Sequence, residues 1–276
     1  MARVLKLPSQ AKRRRQFAFF RKIILVFVIL ALFFAAIVYS LRRGAVRISE
    51  INIQGEEYLG KDGIDLTIRQ ELAGSYLYAI PKDSIFFYPK KKIEDTLVSR
   101  FKRLGKAEIS VNNFNSINVR LEEHTPRYVW CDNQSFETAP CYFMDSNGFV
   151  FDKSPAFSGN VYIRFYGTLL GDDTDIIGKK FLAQDIFKEL DTFINAISDK
   201  VFSLSQLIKN EDQDYELYLK DGGKIIFSLK DGAGKPLSNL FSALETDPLK
   251  ANLRNKPKSL EYIDLRFGNK VFFKFR

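Results

Sequence analysis

The spacing of apolar and polar positions changes several times along this chain, and each change marks an element. Ile23–Leu41 runs 19 residues with no charge, Gly or Pro. At about 1.5 Å per residue such a helix reaches roughly 28 Å, close to the hydrocarbon thickness of a bilayer. This predicts one transmembrane helix. The apolar part of a cleaved signal peptide is shorter, about 7–15 residues, and ends in small residues, so the segment reads as a retained signal anchor.

Beyond it the period switches between two and 3.6. Val46–Gln54 alternates as a strand, with a slip near Ser49–Glu50, and Gly55 ends it. Lys61–Leu72 places Ile64, Ile68 and Leu72 on one helical face, closed by Gly74. Ser75–Ile80 reads as an extended apolar segment stopped by Pro81, and Lys92–Leu104 as a second helix facing inward through Ile93, Leu97, Phe101 and Leu104. Two alternating strands follow, Lys106–Val111 and Ser116–Glu122, and Pro126 ends the unit. Two helices on one face of a three-stranded sheet would bury every stripe.

The second half reads as strands at Cys141–Phe151 (around an Asp-Ser-Asn-Gly turn), Val161–Tyr166 and Phe202–Ile208, and as a hairpin of Tyr215–Leu219 with Lys224–Leu229. A final hairpin joins Leu260–Phe267, with Ile263, Leu265 and Phe267 on one side, through Gly268-Asn269 to Lys270–Arg276. Helices are predicted at Gln184–Lys200, facing inward through Ile186, Phe187, Leu190, Phe193, Ile194 and Ile197, and at Pro236–Leu253. The predicted class is α+β: a single transmembrane helix, a β-α-α-β-β unit, and a mixed, mostly antiparallel β domain with flanking helices.

Charge sets the expected topology. The protein carries 42 Lys and Arg against 33 Asp and Glu, a net +9, but the first 43 residues hold ten of those cations and no acid. The remainder is nearly neutral, so the basic character is a topogenic tail and does not point to nucleic acid. Arg13, Arg14, Arg15, Arg21 and Lys22 precede the apolar run, and the Lys/Arg excess on that side predicts a cytoplasmic N-terminus. The rest of the chain is then extracytoplasmic, a compartment that permits a disulfide between Cys131 and Cys141; two free thiols are the alternative.

The residues beyond the anchor resemble the FtsQ/DivIB family of bacterial cell-division proteins. The matching pieces are Ile51-x-Ile53-x-Gly55, Gly74-x-x-Leu77, Phe101–Val111 leading into Asn113–Val119, and Glu122-x-x-x-Pro126 before Val129-Trp130. Tyr262-Ile263-Asp264-Leu265-Arg266 resembles the end of that family's β domain. The resemblance implies a cytoplasmic tail at 1–22, a membrane helix at 23–41, a POTRA domain at 46–126 and an FtsQ-type β domain at 127–276. It also implies a non-enzymatic divisome scaffold in the cell membrane at the septum. That scaffold would bind small single-pass partners of the FtsB, FtsL or DivIC type and help regulate septal peptidoglycan synthesis. Self-association is a further expectation. The binding site is expected on the last strand, through Lys270, Val271, Phe272 and Phe273, with Arg266 offering charge and Phe267 an apolar anchor. The route would be strand addition to an exposed edge. The alternatives are a tethered POTRA protein in polypeptide export or outer-membrane assembly, and a cell-wall enzyme.

Catalytic, cofactor and metal sites are not expected. The only His, His124, has no recognisable triad around it and reads as a surface residue. Asp172-Asp173-Thr174-Asp175 lacks the EF-hand spacing and its terminal Glu. Gly232-Ala233-Gly234-Lys235 lacks the first Gly and the Ser/Thr of a P-loop and reads as a turn before a helix. Asn133-Gln134-Ser135 fits a glycosylation triplet.

Overall fold

The computed structural model describes residues 10–41, 46–132, 140–157, 159–171, 174–198, 202–210, 214–255 and 259–276, with backbone alone for 10–16 and Leu41. The side chains of Arg13, Arg14 and Arg15, the Asn133-Gln134-Ser135 triplet, and Asp172 with Asp173 therefore lie outside the described residues. The described parts of Met1–Arg100 and Lys106–Glu122 form one compact unit, and those of Phe101–Gly105 and Glu123–Arg276 a second.

The first unit opens with α1 (Gln10–Leu41), which begins well before the apolar run itself. Its Phe17–Ser40 stretch is long and apolar enough to cross a membrane, and none of it is buried. Arg21 and Lys22 are exposed on it. Strand β1 (Glu50–Gln54) pairs in parallel with β5 (Ser116–Glu123), setting Ile51 opposite Ile117 and Ile53 opposite Val119. The third strand, β4 (Leu104–Asn113), flanks β5, giving the order β1-β5-β4. Helices α2 (Lys61–Leu72) and α3 (Lys90–Arg100) bury Ile64, Ile68, Leu72, Ile93 and Leu97. Gly55 lets β1 turn away beside β5: its φ is +88°, and a Cβ there would stand 2.2 Å from the Leu121 carbonyl oxygen.

Four expectations change in this unit, the first being that the strand expected over Val46–Gln54 begins only at Glu50. Ser75–Ile80 is not one strand but a tight hairpin of two-residue arms, β2 (Ser75–Tyr76) and β3 (Ile80–Pro81). The second helix stops at Arg100, because Leu104 starts β4. Val111 is exposed rather than facing inward, near the far end of β4.

The second unit is built on nine strands in the order β14-β13-β12-β11-β10-β9-β6-β7-β8. In chain order they are β6 (Tyr128–Cys131), β7 (Cys141–Met144), β8 (Val150–Lys153), β9 (Arg164–Tyr166), β10 (Leu204–Lys209), β11 (Asp214–Leu219), β12 (Lys224–Ser228), β13 (Leu260–Phe267) and β14 (Lys270–Phe275). Neighbours run antiparallel except at β13–β12, β10–β9 and β9–β6. Cys131 and Cys141 face each other across β6–β7 and are joined as a disulfide.

Helix α4 (Gln184–Ser198) buries Phe187, Leu190, Phe193, Ile194 and Ile197 in this unit's core. Those five side chains represent on the order of 10 kcal/mol of gross transfer free energy. Phe193 stacks on Phe227 of β12 at 3.9 Å. Ile186, expected inside, is exposed. The helix expected over Pro236–Leu253 is two, α5 (Gly234–Leu244) and α6 (Leu249–Asn255), because Pro248 has no amide to donate and interrupts the run.

His124 is not a surface residue. Its Nδ1 lies 2.9 Å from Asp145 Oδ2, and its ring packs between Phe149 and Phe151, at 4.8 and 5.4 Å. Beside it Arg103 is buried; its Nε donates to Glu123 Oε2 at 2.8 Å and its Nη1 to Asp152. Removing Arg103 takes from the buried Glu123 carboxylate its charge partner at 2.8 Å. Arg103→Ala is expected to cost about 3–5 kcal/mol of unfolding free energy, measured by urea denaturation.

Burial pushes the Asp145 carboxyl up, but the His124 hydrogen bond and the amides of Phe149 and Asn147 outweigh it and hold the group below its ordinary value. Such a carboxyl contributes stability that is complete above its unfolded pKa, about 4, and is lost as pH falls through the folded value. Asp145→Asn is therefore expected to lower Tm at neutral pH, with the gap to the parent protein narrowing below about pH 4 in a pH series of melts.

Candidate functional site: the β13–β14 edge

Strand β14 ends the nine-stranded sheet, so among the described residues one of its flanks carries no strand. Its side chains alternate: Lys270, Phe272 and Lys274 are exposed, whereas Val271, Phe273 and Phe275 pack against the core. The six residues expected to bind a partner therefore divide. Arg266, Phe267, Lys270 and Phe272 are exposed, while Val271 and Phe273 face the core.

Phe267 departs from its expected side. Along β13, Ile263, Asp264 and Leu265 are all buried, and then Arg266 and Phe267 are both exposed. The register against β14 shifts between Asp264 and Phe267, and this bulge breaks the alternation. Phe267 then meets Phe272 edge to face at 5.1 Å, and both rings remain about half exposed.

Arg266 is fixed rather than freely offered. Its Nε and Nη2 donate to the two carboxylate oxygens of Asp264 at 2.9 and 2.7 Å, and its Nη1 donates to Asp214 Oδ2 at 2.8 Å. Its guanidinium carbon also lies 5.7 Å from the Phe267 ring centroid. Asp264 and then Asp214 hold the guanidinium charged more firmly than an ordinary arginine. Asp264 is buried despite its charge, and this bidentate pair is what makes that tolerable. Asp264 Oδ1 also accepts the Arg266 amide across the bulge.

A cleft of about 340 Å³ opens beside this cluster, lined by Asp214, Ser228, Lys230, Lys235, Arg266 and Phe267 among others. Among the described residues the buried Ser228 hydroxyl has no hydrogen-bond partner. Gly232-Ala233-Gly234-Lys235 forms the entry to α5, as expected, but its anion position is taken. Glu189 of α4 accepts the Ala233 amide at 2.8 Å and complements the helix N-terminus. Asn239 of α5 donates to the Gly268 carbonyl at 2.6 Å and ties down the β13–β14 turn. Asp214, Asp264 and Glu189 were not singled out by pattern, because each acts through a partner distant in sequence or through a bulge.

No protein-family model matches this chain, and no curated protein is detectably similar to it in sequence. Among the described residues no group of three or more His, Cys, Asp or Glu could hold a metal ion.

Truncating Arg266 leaves the buried Asp264 carboxylate without its bidentate partner. Arg266→Ala is expected to lower unfolding free energy by about 2 kcal/mol, between the exposed and fully buried cases, as read by urea denaturation.

Proposed function

We propose that this protein is a membrane-anchored binding scaffold of the FtsQ/DivIB kind, with α1 as a signal anchor and the N-terminus in the cytoplasm. The first unit would be a POTRA domain, its order of strand, helix, helix, strand, strand supporting that reading. The second would be an FtsQ-type β domain that takes a strand from a small single-pass division protein of the FtsB, FtsL or DivIC type. The protein would act without catalysis, in the cell membrane at the septum, by recruiting and regulating peptidoglycan synthesis.

One observation carries this reading. The flank of β14 that carries no strand among the described residues lies next to an exposed aromatic pair, Phe267 and Phe272, on a hairpin held by the part-buried Arg266–Asp264 pair. Open strand edges pair readily with another chain, and aromatic anchors beside them supply side-chain specificity. The guanidinium of Arg266 positions this surface more than it offers a charge, so the two phenylalanines make the cleaner test.

The test is a pull-down from native membranes with tagged full-length protein, read by mass spectrometry, beside Phe267→Ala/Phe272→Ala. Short single-pass proteins are expected with the parent and a loss of at least tenfold with the variant, whose melting temperature stays close to the parent's because both rings are half exposed. Equal recovery by both proteins would remove the site. Enrichment of secretion or outer-membrane assembly components would replace the division reading with an export one.

A further inference from the structure

The first unit exposes large apolar side chains at a place set by its own backbone. Leu77 and Tyr78, at the tip of the β2–β3 hairpin, are 94% and 96% exposed. They have φ of +46° and +61°, and the Ala79 amide closes the turn on the Tyr76 carbonyl at 3.0 Å. Consecutive positive φ values are the province of Asn-Gly turns, where the chain accepts no Cβ penalty and presents polar atoms to water. Here the same positions carry a leucine and a tyrosine. Backbone strain and near-total exposure of apolar side chains coincide, which points to a surface that meets something other than water.

More apolar surface follows. Phe86 and Phe87 are exposed, and Phe86 borders a shallow recess of about 330 Å³ lined by Ile85, Val111 and Phe114. Phe114 is also exposed.

Two observations place this surface near α1. Ile48 donates its amide to the Asp83 carbonyl at 2.7 Å, Ile85 donates to the Val46 carbonyl at 3.0 Å, and Arg47 grips the Asp83 carboxylate through Nε and Nη2. The segment bearing Phe86 and Phe87 is thus bonded to Val46–Ile48, the first described residues after α1. Val46 lies only five residues beyond Leu41, a reach of about 17 Å fully extended. The second observation is direct: α1 comes within 8 Å, Cα to Cα, of β3.

We propose that Leu77, Tyr78, Phe86 and Phe87 form a second membrane contact, seated in the headgroup region of the bilayer that α1 crosses. The inference rests on the reading of α1 as a membrane anchor. The side chains suit that depth. Tyrosine and phenylalanine favour the boundary between acyl chains and water, and a lysine beside them reaches outward. Lys82 does stand beside the patch, its Nζ 5.8 Å from the Tyr76 ring centroid. The contact would hold the first unit against the bilayer at more than its single covalent tether.

The experiment uses full-length protein reconstituted in vesicles of phosphatidylcholine brominated high on the acyl chain, with unbrominated vesicles as reference. Three single variants are compared with the parent, whose Trp130 gives the baseline: Tyr78→Trp at the hairpin tip, Ile29→Trp within α1, and Tyr58→Trp. Tyr58 is exposed and follows β1, which carries the chain roughly 20 Å on from Ile48. The expected result is quenching at positions 29 and 78 several-fold above the parent, with position 58 unquenched. Quenching at 29 with none at 78, or equal quenching at 78 and 58, overturns the proposed contact while the anchor stands. No quenching at 29 overturns the anchor reading, and the contact falls with it. The vesicles contain no other protein, so quenching at 78 cannot be the work of a protein partner.

Discussion

The pairing of Arg266 with Asp264 is the constraint on which the outer face of the second unit depends. A buried carboxylate two residues before an arginine would be costly in a regular strand, because the two side chains would share one face and leave little room for a bidentate contact. The bulge supplies that room, and the Asp264 side chain accepts both the guanidinium and the Arg266 amide. Asp214 closes the cluster from β11. Everything past this point in β13 is rotated out of its regular alternation. Phe267 faces solvent with Phe272 because an ion pair, rather than an apolar contact, sets the register.

The two sheets treat their edges differently. In the first unit the edge strand β4 has its Ile109 amide satisfied by Glu94 of α3 at 2.8 Å. A side chain thereby occupies a position that an incoming strand would need. Near β1, Asp83 and Ile85 bond to the residues just ahead of the strand. At β14, exposed Lys270 and Lys274 give some protection, and Lys274 is paired to Glu261 at 2.9 Å. Between those lysines stands Phe272, which has the opposite effect.

How much of this was legible beforehand follows from the range of the interactions concerned. Period alone located α2 through Ile64, Ile68 and Leu72, and β5 through Ile117, Val119 and Leu121, because each stripe is buried by its own regular geometry. The long apolar helix was legible from Ile23–Leu41 because an unbroken run of that length is its own signal. Departures arose where a distant partner or a break in geometry decides. The bulge after Asp264 leaves no mark in LEYIDLRF, since the sequence still alternates. His124 looked isolated because Asp145 and the phenylalanines around it come from β-strands and turns further on. The hairpin at Ser75–Pro81 was read as a strand because its turn lacks the Asn or Gly that normally announces one.

The alignment of β13 with β14 also has a mechanical side. Strands joined side by side resist differently according to the direction of pull. Tension along the strand axis loads the row of hydrogen bonds together, whereas tension at one corner opens them singly. The antiparallel β13–β14 pair runs from Leu260 opposite Phe275 to Phe267 opposite Lys270, with the tight turn clamped by Asn239 at one end. A strand laid along β14 and drawn lengthwise would load this ladder in shear, and the clamp would oppose peeling from the turn. The hairpin is thereby suited to act as a tensile coupling.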